Sequence, residues 1–319
     1  MLPGLVVSLV CLGIIAYLID PAQLVQALQR ADYRWVLGGV LVTFVWFIVR
    51  AAAWRTLLQR RATLSNAFFS LCEGYLMNNI LPFRLGEIGR AFLLGRKAGL
   101  DFWQVLPTVI VERAIDLAIG VGIFLSTLPF VVGADWALQA AVGTGAVVVL
   151  GLVALFIIAR NRQKVELWLQ SLGARWPLAG RLMGNRVPAF MDGLSILANP
   201  GLFLVSLGWL LFNWALGLLQ FYCYVRAFFP DGQFLWSAFS LGVLALGVSA
   251  PSTPGSIGVY ELALVSALSL FVDNPSQSTA MALTAHAIHY VLTGIPGGFA
   301  LFRDGESLAG MYQKARSMR

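Results

Sequence analysis

Charge is scarce in this chain. Only 12% of its 319 residues are Asp, Glu, Lys or Arg, about half the ~25% of an ordinary soluble domain. That scarcity excludes a soluble enzyme, a disordered chain and a peripheral protein held by one anchor. Cysteine is also rare. Cys11, Cys72 and Cys223 all lie inside apolar stretches, and an odd count without framework spacing argues against structural disulfides. Histidine occurs only at positions 286 and 289, three apart on one helical face. Two such residues with no acid beside them in sequence read as core packing rather than a metal site. No Walker motif, serine nucleophile elbow or zinc spacing is found, and no soluble stretch houses an active site. Neither a cofactor, a metal nor catalysis is therefore expected.

Apolar residues make up 59% of the chain, and the mean hydropathy is +0.79. These values predict an all-α integral membrane protein. The net charge of +7 comes from 22 Lys and Arg against 15 Asp and Glu. Basic cytoplasmic loops facing anionic lipid account for that excess better than nucleic acid does.

The first apolar stretch, Leu2 to Ile19, is long enough to cross a bilayer. It lacks the basic leader and small-residue cleavage site of a signal peptide. Asp20-Pro21 then reads as a helix start, opening a short amphipathic helix with Leu24, Val25 and Leu28 on one side. Further spans are predicted at about 35–53, 104–128, 136–159, 202–229 and 279–302, which gives about six full transmembrane helices. Basic residues cluster in 50–61 (Arg50, Arg55, Arg60, Arg61), in 84–97, in 160–186 and in the tail 303–319. The positive-inside rule makes these segments cytoplasmic, together with both termini. Two apolar regions, 64–100 and 234–272, must then enter and leave on the same side. The return limb Gly86–Gly99 holds 14 residues, reaching about 21 Å, too short for a ~30 Å core. Region 64–100 reads as a re-entrant hairpin from the cytoplasm. Region 234–272 reads as one from outside, with two short spans as the alternative.

The hairpin tips share a pattern. Pro82-Phe83-Arg84-Leu85-Gly86-Glu87-Ile88-Gly89 and Pro251-Ser252-Thr253-Pro254-Gly255-Ser256-Ile257-Gly258 are both P-x-x-x-G-x-I-G, 169 residues apart. Three spans lie between them, so the copies face opposite ways, as in an inverted-topology repeat whose broken helices meet near the midplane. The repeat halves cover about 35–130 and 202–302 of a single transmembrane domain, 1–319. A cytoplasmic amphipathic connection, 160–200, joins them and carries Trp168, Leu169, Leu172 and Trp176 among basic residues.

Eight ionisable residues fall in or near the hairpins: Glu73, Arg84, Glu87, Arg90, Glu112, Arg113, Asp116 and Glu261. At ~2.5–3.5 kcal/mol each at mid-bilayer, their burial unpaired would cost about 24 kcal/mol, more than a typical stability of ~5–15 kcal/mol. They must pair, protonate or face water. Glu112 and Asp116, four apart, share a helix face that meets Arg84 or Arg90, while Arg113 points elsewhere, toward Glu87 or Glu261. Gly86 to Gly89 and Gly255 to Gly258 each open a returning half-helix, whose free N–H groups point into the cavity. Pro82, Pro251 and Pro254 break the preceding helices. Arg84 and Arg90 are then the expected phosphate ligands, and Asn78 and Asn79 line the cavity.

The blocks N-N-I-L-P-F-R-L-G-E-I-G-R (78–90), V-E-R-A-I-D (111–116) and P-S-T-P-G-S-I-G-V-Y-E (251–261) resemble the signatures of the lysylphosphatidylglycerol synthetase transmembrane-region family, also called flippase-like domain proteins. The resemblance covers nearly the whole chain. It marks Arg84, Glu87, Arg90, Glu112, Arg113, Asp116, Tyr260 and Glu261 as family-pattern positions without giving them roles. The second glycine usual in the last block is Ser256 here. In the best-known members the resemblance implies movement of aminoacylated phosphatidylglycerol between leaflets, with a separate cytosolic domain making the lipid. Some stand-alone members are associated with polyprenyl-linked sugars. No synthase domain is recognised in these 319 residues, so synthase activity is not expected.

The expected function is a flippase or scramblase moving a charged-headgroup lipid: a phospholipid, an aminoacyl-phospholipid or a polyprenyl phosphate. The alternative is a secondary transporter of a small charged solute. Its partners are then membrane lipids, with anionic lipid at the cytoplasmic face, no nucleic acid, and at most further copies of itself. The expected location is a prokaryotic inner membrane.

Overall fold

The computed structural model describes residues 2–81, 84–133, 135–161, 163–165, 167, 168, 171, 186–248 and 253–305. Among them the regular elements are all helical. In chain order they are α1 (Leu2–Leu18), α2 (Pro21–Arg30), α3 (Tyr33–Leu57), α4 (Leu64–Ile80), α5 (Leu85–Ala98), α6 (Phe102–Val132), α7 (Asp135–Arg160), α8 (Arg186–Leu194), α9 (Pro200–Phe228), α10 (Phe234–Gly247), α11 (Val259–Leu268) and α12 (Pro275–Arg303). Short 3₁₀ turns occupy Ser195–Ala198 and Pro254–Ser256.

Helix starts follow one chemical device. Asp20, Asn199 and Asn274 each stand just before a proline, and their side chains accept backbone N–H groups of the first turn. The following proline has no N–H to leave unpaired and is already at a helical φ. Asp101 opens α6 with a reciprocal capping box to Gln104. Glycines at positive φ, Gly99 and Gly133, close α5 and α6.

Three helices, α3, α6 and α9, are long and apolar enough to cross a membrane. A fourth crossing results if α1 and α2, bent 85° to each other, count as one. α7 and α12 are also long, at 26 and 29 residues. The short helices are different. α5 and α10 have 14 residues each and α11 has 10, lengths of about 15–21 Å that do not span a ~30 Å core. Each half of the fold thus runs long, short, short, long: α3–α6, then α9–α12.

Packing follows that order. α3 and α9 lie against each other. Short α4 packs on α12 of the other half, and short α10 packs on α6. These crossed pairs approach closely at glycine: a Cβ on Gly297 would press on Cys72 O at 2.6 Å, and one on Gly242 on Phe124 Cα at 2.8 Å. One apolar core surrounds Phe47, Trp54, Leu71, Ile115 and Leu210, and a second surrounds Tyr224, Leu264, Leu268 and Met281.

Three expectations need revision. α3 runs to Leu57, so Arg50 is not a loop cation; it is 2% exposed inside the bundle. The α2 face that packs inward is Leu24, Ala27 and Leu28, and Val25 is exposed. The second returning helix begins at Val259, not within Gly255–Gly258, which forms a turn. Within the connection 160–200, residues 162, 166, 169, 170 and 172–185, with Leu169, Leu172 and Trp176 among them, lie outside the described residues, as do Pro82 and Pro251.

Candidate functional site

The fold gathers six ionised side chains from three helices into one buried network. Arg50 of α3 donates from Nη2 to Glu112 Oε1 at 2.5 Å, and from Nη1 to Asp116 Oδ1 at 2.8 Å and Asn213 Oδ1 at 3.4 Å. Its Nη2 also pairs with Asp116 Oδ2. Arg90 of α5 reaches Glu112 Oε1 at 3.0 Å and, through Nε, Glu87 Oε2 at 2.9 Å. Arg113 lies 2.9 Å from Glu112, 3.5 Å from Asp116 and 3.6 Å from Glu87. Trp214 Nε1 donates to Asp116 at 3.1 Å, and Arg90 lies over the Trp54 ring at 4.5 Å. The charges balance, with Arg50, Arg90 and Arg113 against Glu87, Glu112 and Asp116. Only mutual pairing makes such a set tolerable in an apolar bundle.

The network has a dry side and an open side. Glu112 is 0% and Arg90 1% exposed, whereas the Arg113 side chain is 33% exposed and Glu87 16%. The expected contact of Glu112 with Arg90 is present. Arg113 does meet Glu87, but it also turns back to Glu112 and Asp116 rather than pointing away from them. Arg50 completes the network. Sequence reasoning missed it because it sits in the same stretch as Arg55, Arg60 and Arg61.

Arg84 takes another role. It stands exposed at the start of α5 in a left-handed conformation (φ 52°). Its Nη2 donates to the carbonyl of Val248 at 2.6 Å. The first tip is thereby tied to the end of α10, just before the second tip. Asn78 receives Gly86 N–H at 2.9 Å and leans on Glu87, and Asn79 donates to Thr293 at 2.8 Å. Gly89 is buried inside α5. Gly86 sits so close to α4 that an added Cβ would overlap Gly74 O.

The second tip is closed by its own chemistry. Gly255 and Gly258 have φ of 66° and 84°, and Pro254 opens the 3₁₀ turn. The Gly258 N–H donates to Glu261 Oε2 at 2.7 Å. The N–H groups of Gly86 and Gly258 are therefore capped from within and do not point free into a cavity. Glu261 Oε1 lies 2.5 Å from His286 Nδ1, and His286 Nε2 lies 3.0 Å from Gly255 O. Tyr260 stacks on the His286 ring at 4.0 Å. The acid judged missing beside His286 is Glu261, brought in from the neighbouring helix. Among the described residues no group of three His, Cys, Asp or Glu could hold a metal ion.

Glu73 belongs to neither tip. It pairs with Lys97 at 2.7 Å, and Lys97 also reaches Asp304, past the end of α12, at 2.6 Å. Burial pushes the Asp304 carboxyl up, but Lys97 and Arg303 outweigh it and hold it below its ordinary value. That tie is present above the usual carboxylate range and is lost as acid protonates Asp304.

Apolar helices of membrane-crossing length, wrapped around a set of mutually paired charges, define an integral membrane protein. The chain belongs to the family described as the lysylphosphatidylglycerol synthase TM region, whose model matches residues 1–297. It is similar to a UPF0104 membrane protein of Methanothermobacter thermautotrophicus, 22% identical over 96% of this chain and 96% of that protein. It is also similar to the glycosyltransferase AglD of Haloferax volcanii, 22% identical over 99% of this chain but only 56% of that protein. No solved structure matches.

Proposed function

We propose that this protein moves a lipid with an anionic headgroup between bilayer leaflets and is not itself an enzyme. One observation carries this reading. The buried network sums to zero, and Arg84 adds a fourth guanidinium at the accessible tip, paired with a carbonyl rather than a carboxylate. The residual charge of +1 therefore lies on the open side, beside half-exposed Arg113. One phosphodiester matches it. Arg90, committed to Glu87 and Glu112, is a positioning residue rather than a phosphate ligand.

The architecture supports the same reading. The two long-short-short-long halves, with short helices packed across onto the long helix of the opposite half, fit an inverted repeat of about six spans and two re-entrant hairpins. In such a fold the polar tips meet near the midplane while acyl chains stay in lipid. Orientation with basic segments and both termini inside an inner membrane belongs to this proposal. The region shared with AglD is 56% of that protein, so the activity in its name is not carried over.

The test is translocation of labelled phospholipid and polyprenyl phosphate by the purified protein in proteoliposomes. Arg84→Ala should slow flipping at least tenfold while the protein stays folded, and Arg113→Gln should slow it as well, with a loss of stability from the Glu112 and Asp116 contacts it gives up. Unchanged rates in both would overturn the assignment of the anion site.

A further inference from the structure

His286 and Glu261 sit outside the arginine network, and their geometry fixes a proton count. Gly255 O can only accept, so the 3.0 Å contact from His286 Nε2 requires a proton on Nε2. At 2.5 Å, His286 Nδ1 and Glu261 Oε1 cannot both present lone pairs, so one proton lies between them. The other carboxylate oxygen, Oε2, is taken by Gly258 N–H. Two arrangements satisfy all three contacts: imidazolium with carboxylate, or neutral imidazole with carboxylic acid. Both hold the same number of protons and both are neutral overall.

Removing one proton breaks the set. Either a nitrogen lone pair faces Gly255 O, or it faces an ionised carboxylate. The pair also becomes an uncompensated negative charge, with His286 5% and Glu261 4% exposed. Among the described residues no lysine or arginine forms an ion pair with Glu261. The titratable groups around the pair are Tyr260 of α11, His289 and Tyr290 of α12, Tyr224 of α9 behind Tyr260, Cys11 of α1 beside Gly258, and Tyr75 of α4 against His289. α10 brings no ionisable side chain. None of these is a lysine or arginine, so none brings a fixed cation to the pair.

We propose that His286 and Glu261 form a proton-binding site that latches the second hairpin tip onto α12, closed with the proton bound and open without it. The two His286 contacts join α12 to the turn at Gly255 and to the start of α11, so their loss frees the turn on that side. Thr253 also ties the turn to Ser8 of α1, at 2.8 Å. By linkage, whatever opens the tip lowers its proton affinity by the same factor. The site would supply the coupling ion for the transport proposed above. It rests on that reading for its use only, since proton binding and tip opening are measurable without any lipid moving.

Full-length protein labelled with ¹⁵N-histidine, in nanodiscs, gives two ring systems, separated by a His289→Gln variant. The expected spectrum at neutral pH has His286 Nε2 protonated. Deuterium uptake over 253–258, corrected for intrinsic exchange, should rise about tenfold per pH unit above the midpoint, the slope of one proton. In Glu261→Gln the amide can donate to Nδ1 while its oxygen accepts Gly258 N–H. That variant should stay protected through the pH range in which the native tip opens. A bare His286 Nε2 at neutral pH, or Glu261→Gln following the native pH curve, overturns the latch. Neither result bears on whether lipid is flipped, and a failed flipping assay leaves both readouts standing.

Discussion

A guanidinium held between two carboxylates inside an apolar bundle is stabilising only while its partners remain. Arg50 fills that position, 2% exposed between Glu112 and Asp116. Arg50→Ala leaves two carboxylates facing two arginines already shared with Glu87. The expected loss is about 3–5 kcal/mol, the usual consequence of orphaning a buried charge, read as a shift in detergent-induced unfolding. Arg50→Met with Asp116→Leu restores a balanced set of two arginines and two acids and should recover most of that loss. Arg84 behaves differently. Its left-handed backbone costs a non-glycine residue about 1 kcal/mol, so Arg84→Gly should leave unfolding unchanged or slightly harder while abolishing flipping. A variant that unfolds easily and still flips would reverse the roles given to this side chain. The difference between Arg50 and Arg84 was invisible in the chain itself. Both follow apolar runs and stand near other arginines. Only the packing of α3 on α6 shows that Arg50 lies level with the acids of α6.

Among the helices, the α4–α5 hairpin shows how small residues set a geometry that charges then use. Gly74 and Gly86 let the two backbones touch: a Cβ on Gly74 would sit 2.7 Å from Arg90 Cβ, and one on Gly86 would strike Gly74 O. That contact turns Glu87 and Arg90 toward α6. Gly86→Ala must push the arms apart, at about 1–3 kcal/mol by ordinary overpacking. The shift should show as lower thermal stability together with lost flipping; an alanine tolerated without either would mean that the hairpin is not held at this crossing. Helix positions were legible from the lengths of the apolar runs and, at Asp20-Pro21, from capping chemistry, because both signals are local. The second tip was not. Glu261 and His286 are 25 residues apart on different helices, and no local pattern announces that the hairpin turns one toward the other. For the same reason the tip N–H groups looked free, when Asn78 and Glu261 already hold those of Gly86 and Gly258.

Across the whole molecule, the crossed packing of α4 on α12 and of α10 on α6 is what an in-plane pseudo-two-fold axis would produce. A pair of halves repeated with the same orientation would instead place equivalent loops on one side of the membrane. The two arrangements differ at the loop after the first long helix of each half, where Arg60 and Asp231 are both exposed. With Cys11, Cys72 and Cys223 replaced, single cysteines at Arg60→Cys and Asp231→Cys should react with a membrane-impermeant maleimide from opposite sides of sealed vesicles. The basic segments further predict that Arg60→Cys is the cytoplasmic one. Labelling of both from the same side would remove the inverted repeat, and with it the meeting of two tips from opposite faces. The buried arginine network would then be a structural tie in a bundle of another topology, because a headgroup entering from one leaflet would have no opposed hairpin to carry it to the other.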